Sequence, residues 1–254
     1  MDKKLKIALI GYGRMGQMIH RIAEERGHTV VATIDGPDDS LWQDEALANA
    51  DVAIEFTQPE SASSNVRRLL ALGIPVVSGT TGWQNELAAL RAELEHSGKG
   101  SLMWASNYSI GVNLFFKINH LVAGVMEHIS GYRVQLSETH HIHKLDAPSG
   151  TAITLAEQVI SGMPSRLDNW QLVTEDVATE GSKTLPITAI REGEVPGIHT
   201  VTYSSAVDTI ELRHEALGRQ GFAEGAIVAS EFLAGRVGYY TMDDLLAHFL
   251  RSQQ

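Results

Sequence analysis

Apolar and polar positions keep one rhythm through the first part of the chain and another after it. Leu5–Ile10 is a short apolar run, the pattern of a buried strand. Met15, Met18, Ile19, Ile22 and Ala23 then recur at helical spacing, and Gly27 closes that helix. Thr29–Ile34 reads as the next strand. Three more strands are predicted at Asp51–Phe56, Pro75–Ser78 and Leu102–Ala105. Between them, Val66, Leu69 and Leu70 mark a helix that stops at Gly73, and Leu87, Leu90 and Leu94 mark another. Strands alternating with helices predict a parallel sheet covered on both faces.

From about Asn107 the alternation stops. Val112–Val125 reads as one apolar helix. Tyr132, Val134 and Leu136 then alternate with Arg133, Gln135 and Ser137, which is a half-buried strand. Leu185–Ile190, Ile198–Tyr203 and Val207–His214 are further strands, expected to pair antiparallel. Pro164–Asn169 and Gly193–Gly197 read as surface loops. Phe222, Ala226, Ala229 and Leu233 recur as a helix, and Thr241 with Asp244 opens a last one in the capping-box pattern. There is no internal repeat. The expected fold class is α/β: an N-terminal Rossmann-like parallel-sheet domain over residues 1–107, and a smaller α+β domain with a mainly antiparallel sheet over 108–219.

The candidate chemistry sorts with the two halves. Gly11-Tyr12-Gly13-Arg14-Met15-Gly16 follows the first strand and opens the first helix, and Asp35 closes the second strand about 20 residues on. The spacing is that of a dinucleotide site. Gly11 permits the tight turn, Gly13 lets backbone approach a pyrophosphate, and Gly16 lets helix pack on strand. The helix N-terminus faces the anion, and Asp35 accepts from ribose hydroxyls. The segments FTQP, Gly79-Thr80-Thr81-Gly82 and Ala105-Ser106-Asn107-Tyr108 end later strands, on the edge where open sheets bind ligands. The acidic loop Gly36-Pro37-Asp38-Asp39 would repel a ribose 2′-phosphate, with only Arg14 placed to compensate. NADH is therefore expected to serve at least as well as NADPH.

In the second half, Glu138-Thr-His-His-Ile-His-Lys-Leu-Asp-Ala-Pro-Ser-Gly-Thr-Ala concentrates titratable groups between a strand and a helix marked by Ala152, Leu155, Ala156 and Val159. Standing alone it would pass for an exposed polar loop. Its position favours an anion and proton site. Ser149 is placed to cap the helix, and Gly150 and Thr151 present N–H groups to a carboxylate. Lys144 adds a full charge. His140 and His141 are donors, one of which can deliver a proton near neutral pH. His141, His143 and Asp146 could share a metal, but nothing else converges to complete a ligand set, so no metal is expected.

Composition narrows the choice. A net charge of −11 disfavours nucleic acid and makes any acidic-ligand site a local feature. The absence of cysteine excludes disulfides and thiol catalysis and fits a cytoplasmic protein. The opening apolar run is too short for a signal peptide or a membrane span.

The run Glu138-x-His140-His141-x-x-Lys144-x-Asp146-Ala-Pro-Ser-Gly-Thr-Ala152 resembles the signature of the dihydrodipicolinate reductases. GRMG, FTxP, GTTG, the Asn107–Asn113 segment and the Phe222 helix start match that family in order along the chain. The glycine turn looks one residue shorter than in many members, and the stretch between Asp35 and Asp51 is also short. The resemblance implies a small cyclic dicarboxylate substrate that loses water and accepts a hydride. It implies His140 as proton donor and acceptor, Lys144 as a second donor, and His141 with the Gly150 and Thr151 N–H groups as carboxylate holders. It also implies that residues 220–254 return to complete the first domain, that the second domain's sheet packs into a homotetramer, and that closure between domains excludes water. Arg219 could touch a carboxylate or simply lie on the surface. Another reductase on the same cofactor scaffold, or a nicotinamide sensor without activity, remains as an alternative.

Overall fold

The computed structural model describes residues 4–36, 40–174 and 182–251. Its elements run β1 (Lys6–Ile10), α1 (Arg14–Glu25), β2 (Thr29–Ile34), α2 (Glu45–Ala48), β3 (Val52–Glu55), α3 (Pro59–Ala71), β4 (Val76–Ser78), α4 (Gln84–Ser97) and β5 (Ser101–Trp104). They continue with α5 (Ile110–Met126), β6 (Arg133–His140), α6 (Gly150–Gly162), β7 (Asn169–Val173), β8 (Thr184–Arg191), β9 (Ile198–Ser204) and β10 (Thr209–Glu215), then α7 (Gln220–Leu233), β11 (Gly238–Tyr240) and α8 (Met242–Arg251). The chain forms two compact units, one of Met1–Ile110 with Gln220–Gln254 and one of Gly111–Arg219. No described helix is long and apolar enough to cross a membrane.

The first unit holds a six-stranded sheet in the order β11-β5-β4-β3-β1-β2, parallel at every pairing. Its strands are apolar on both faces because helices cover both. Ile7, Leu9, Val52, Ile54 and Met103 pack in a cluster with Ile19, Ile22, Ala226, Ile227 and Leu233 of α1 and α7. On the other face, Ala8, Ile10, Ala53 and Val76 join Val66, Leu69, Leu87 and Leu90 of α3 and α4. Each such Val, Leu or Ile contributes about 1.5–3 kcal/mol on burial. Strand order reverses at β1, whose neighbours are β2 and β3, so a crevice opens beyond the carboxyl ends of those strands. At α8, Asp244 Oδ2 accepts from the Thr241 N–H at 2.8 Å, the reciprocal half of the expected capping box.

Three elements of this unit lack a clear pattern in the sequence. A 3-10 turn at Ser40–Gln43 with the short α2 fills the segment before β3, and β11 adds an edge strand. All are too short to display a period.

The second unit bears out the antiparallel expectation for β9 and β10 and corrects it for β8. Its five strands run β10-β9-β6-β8-β7; β10/β9 and β9/β6 are antiparallel, whereas β6/β8 and β8/β7 are parallel. The sheet is mixed because α6 lies in the connection leaving β6, and a helical crossover returns the chain in the same direction. β7 begins at Asn169, where a loop is predicted; its residues lie near the surface and show no clean alternation. Leu136, Ile187, Val201 and Tyr203 on one sheet face pack against Ala152, Leu155, Ala156 and Val159 of α6. Alternation along β6 thus sends Val134, Leu136, Glu138 and His140 to the buried face, and the last two are not apolar.

Candidate active site

In the first unit the glycine turn closes tightly on the sheet. Gly11 has φ +91°, and a Cβ there would stand 2.1 Å from the Phe56 carbonyl oxygen. A Cβ at Gly16 would stand 2.2 Å from the Gly11 oxygen, so α1 can start against the turn only without a side chain there. Gly13 is exposed, and a Cβ would meet nothing. Asp35 Oδ1 accepts from the Tyr12 N–H at 2.9 Å, which ties the end of β2 to the turn. Arg14, exposed, opens α1, and Met15 packs partly buried against the core.

A cavity of about 260 Å³ lies between Gly11, Gly13, Asp35, Gly36, Phe56, Thr57 and Gln58, with Trp42, Ser61 and Asn65 on its wall. Trp42 donates to the Gly36 carbonyl at 2.9 Å, and the Arg68 guanidinium stacks on its ring. Pro37–Asp39 of the acidic loop lie outside the described residues. The cavity, the bare backbone at Gly13 and the carboxylate of Asp35 fit the pyrophosphate and ribose of a dinucleotide.

The loops beyond β3 and β4 are fastened from beneath by Glu55, which is fully buried. Its Oε1 accepts from the Thr57 N–H at 3.1 Å, from Thr80 Oγ1 at 2.8 Å and from Thr57 Oγ1, and its Oε2 accepts from Ser78 Oγ at 2.6 Å. The Thr80 carbonyl accepts from the indoles of Trp83 and Trp104, both at 2.8 Å. Thr80 is therefore a buried anchor, while Thr81 projects outward. Tyr108 is also an anchor. Its hydroxyl donates to the carbonyls of Ser78 (3.0 Å) and Met103 (2.8 Å), and burial raises its pKa well above the ordinary value. Ala105 is buried at the end of β5, Ser106 is exposed, and Asn107 Oδ1 accepts from the Ser109 N–H. Nothing in the sequence pattern singled out Glu55; a charged residue closing an otherwise apolar four-residue strand was the available signal.

The second unit gathers a denser polar cluster. Strand register sets Glu138 opposite His199 of β9, and His140 opposite Arg191 of β8. His140 Nδ1 lies against Glu138 Oε2. Glu138 Oε1 accepts from Arg191 Nη2 at 3.1 Å and from the Ser149 N–H at 3.0 Å. The His140 and His199 rings meet edge-on, with centroids 5.1 Å apart. His199 Nε2 and Ser149 Oγ share a 3.0 Å hydrogen bond, and Ser149 Oγ accepts from the Ala152 N–H at 3.2 Å as the N-cap of α6. Gly150 and Thr151 follow, in the first turn ahead of the first intrahelical bond, where N–H groups are offered outward.

Burial lowers the pKa of His140. Glu138 opposes that shift, while Lys144 and Arg191 add to it. Burial, with His140 beside it, pushes His199 down to about 4, so His199 is neutral near pH 7. Lys144 Nζ pairs with Asp146 Oδ1 at 2.8 Å, a partly exposed bridge that holds the Asp146 carboxyl below its usual range. His141 is half-buried beside His143, which pairs with exposed Glu194 at 3.0 Å. Arg219 is exposed at the end of this unit.

The structure thus brings His140, Lys144, Gly150 and Thr151 into one segment and adds Glu138, Arg191 and His199. The alternation read over residues 132–137 continues in β6 through Glu138 and His140, which the sequence reading did not place on the strand; Arg191 and His199 required the strand register. Among the described residues, the side chains with metal-ligand atoms in mutual reach are Glu138, His140 and His199, within 4.8 Å of one another, rather than His141, His143 and Asp146. Arg191 on the same carboxylate opposes a dication there.

Two family models cover most of the chain. The one described as dihydrodipicolinate reductase, N-terminus, matches residues 5–108, and the one described as dihydrodipicolinate reductase, C-terminus, matches 111–246. A 4-hydroxy-tetrahydrodipicolinate reductase of Christiangramia forsetii is 46% identical over 248 residues, spanning 98% of this chain and 100% of its own. Another, of Ralstonia pickettii, is 34% identical over 266 residues, spanning 95% and 99%. Among solved structures, a dipicolinate-bound dihydrodipicolinate reductase from Paenisporosarcina sp. TG-14 has the same fold, with a TM-score of 0.76 at 24% identity over 94% of this chain and 98% of that one. The chain belongs to the dihydrodipicolinate reductase family.

Proposed function

We propose that this protein reduces 4-hydroxy-tetrahydrodipicolinate to tetrahydrodipicolinate, with loss of water, in lysine and diaminopimelate biosynthesis. The observation that carries this reading is the buried His140–Glu138 pair beside the open N-terminus of α6, with Lys144 in the same segment. A reduced nicotinamide supplies the hydride when bound. Gly11, Gly13 and Asp35 hold its pyrophosphate and ribose, with Tyr12, Arg14, Met15 and Gly16 completing the turn. Gly79–Thr81 and Ala105–Tyr108 frame the remaining side. The Gly150 and Thr151 N–H groups and His141 bind a substrate carboxylate. Lys144 gives up its weak bridge to Asp146 to meet the dianion. His140 transfers a proton at Nε2, and Lys144 serves as the second donor.

Family membership supports a nicotinamide-dependent reductase, and Asp35 supports NADH as at least an equal of NADPH. Oxidation of each cofactor is followed by absorbance, with substrate generated in situ from pyruvate and aspartate semialdehyde by a synthase. The expected result is turnover with kcat/KM for NADH at or above that for NADPH. Asp35→Ser should lower the NADH value roughly tenfold or more, since hydrogen bonds to a carboxylate contribute about 1.5–3 kcal/mol, and the NADPH value much less. No turnover with either cofactor, from folded protein that binds both, would send the assignment to a sensor role.

The homotetramer belongs to the same proposal. The sheet face of the second unit turned away from α6 carries Gln135, Ser137, Thr139, Thr188, Thr200 and Thr202, none of them fully buried. Light scattering should give four chains per particle, and a monomer would count against this face as an interface. Absence of cysteine and the biosynthetic role support the cytoplasm as its place.

A further inference from the structure

We propose that Glu138 is a positioning residue for His140: its carboxylate, locked by Arg191 and the Ser149 N–H, holds His140 Nδ1 and so reserves Nε2 for proton transfer. This rests on the reading that His140 exchanges a proton with substrate.

Glu138 is 1% exposed; its Oε1 accepts two hydrogen bonds, and its Oε2 lies against His140 Nδ1. Arg191 Nη2 and the Ser149 N–H fix Oε1 at 3.1 and 3.0 Å, which prevents the carboxylate from rotating away from the ring. A carboxylate only accepts, so the hydrogen between Oε2 and Nδ1 sits on Nδ1. Neutral His140 then has a bare Nε2, and protonated His140 offers Nε2–H. On that side stands Gly197, where a Cβ would lie 3.0 Å from Nε2; any larger residue would crowd the working atom.

Ser149 extends the wiring to the substrate side. It immediately precedes the anion-binding positions Gly150 and Thr151, caps their helix, bonds His199 and donates to Glu138. An anion bound at the head of α6 therefore pulls on the residue that holds the histidine's partner. The groups facing His140 are Glu138 on its own strand, Arg191 from β8, His199 from β9 with His214 beyond it, and Lys144 from the following loop. Ser149 is the neutral contributor from α6.

Glu138 favours the imidazolium, whereas Arg191 disfavours it. If protonated His140 is the donor, Glu138→Gln should move the alkaline limb of the kcat profile to lower pH. Arg191→Gln should move it to higher pH. In Glu138→Gln, kcat falls roughly tenfold or more while substrate KM changes little. A role in packing alone would cost activity without shifts of opposite sign.

The tautomer is read separately, without turnover. Histidine 15N–1H spectra of the resting wild-type enzyme, above the His140 titration, should show Nδ1 protonated and Nε2 bare, with His140→Asn identifying the signal. An Nε2–H tautomer would overturn the inference even if every variant misfolded. The Nδ1–H form with limbs that stay put, or move together, would overturn it as well. Full activity in His140→Asn would instead remove the functional reading beneath it, and the measured tautomer would still report on the Glu138 contact.

Discussion

Replacing His140 with alanine is expected to lower kcat by about 10²- to 10⁴-fold, the span typical of a lost general acid–base group. Substrate KM should change little, because in the proposed roles the imidazole exchanges its proton in the transition state and the carboxylate is held elsewhere. Lys144→Ala should behave differently. In its proposed role the ammonium both attracts the dianion and donates, so KM should rise as kcat falls. The contrast matters more than either number, and steady-state kinetics with NADH at saturation measures it. A kcat within tenfold of wild type for His140→Ala would remove that residue from the chemistry. The same change in both variants would mean that the segment acts as one binding loop.

The local charge balance explains why this contrast is expected. The protein as a whole carries −11, so a dicarboxylate is not attracted by the net charge. In the proposed site, attraction would depend on Lys144, Arg191 and the first turn of α6. Arg191 is already committed to Glu138 at 3.1 Å and to the Asp146 carbonyl at 2.6 Å. Lys144 Nζ is bound to Asp146 across a partly exposed bridge, which is cheap to exchange for a substrate carboxylate. The mobile charge and the fixed charge are thus on different residues.

Where the sequence was legible, the physics was periodic. β2 runs over Thr29–Ile34, as the apolar run indicates, and Ser149 caps α6 where the Pro-Ser-Gly-Thr entry points. The alternation legible over residues 132–137 runs on in β6 and puts Glu138 beside His140 on the buried face, a step the sequence reading did not take. Pairing direction was illegible, because a strand's alternation is the same whether its neighbour runs parallel or antiparallel. The mixed sheet around β8 is the consequence. His199 and Arg191 were invisible for the related reason that register, not spacing, delivers them to His140. Tyr108 shows the converse: its segment ends a strand on the ligand-binding edge, but its hydroxyl is spent on the Ser78 and Met103 carbonyls inside the core.

Glu55 carries the second large effect. It ends β3, between β1 and β4, with no exposure to water. A buried carboxylate is tolerable only when its acceptor capacity is filled, and here Thr57, Ser78 and Thr80 fill it. Glu55→Ala strips those donors of their acceptor. At roughly 1–3 kcal/mol for each buried group left unpaired, the loss is about 3 kcal/mol or more. For a chain of this size that corresponds to a fall in melting temperature of about 6–12 °C. Glu55→Gln keeps the shape and one acceptor oxygen, and should lose about half as much. The cofactor adds a sign test. If Glu55 mattered only as a negative charge near a pyrophosphate, its removal would tighten dinucleotide binding. If it matters as the fastening of the loops at Thr57 and Thr80, removal loosens binding. NADH titration by fluorescence is expected to give a raised Kd in Glu55→Gln, in protein that remains folded. A lowered Kd would show that the loops hold without the carboxylate, and that its charge is a cost to the site rather than its anchor.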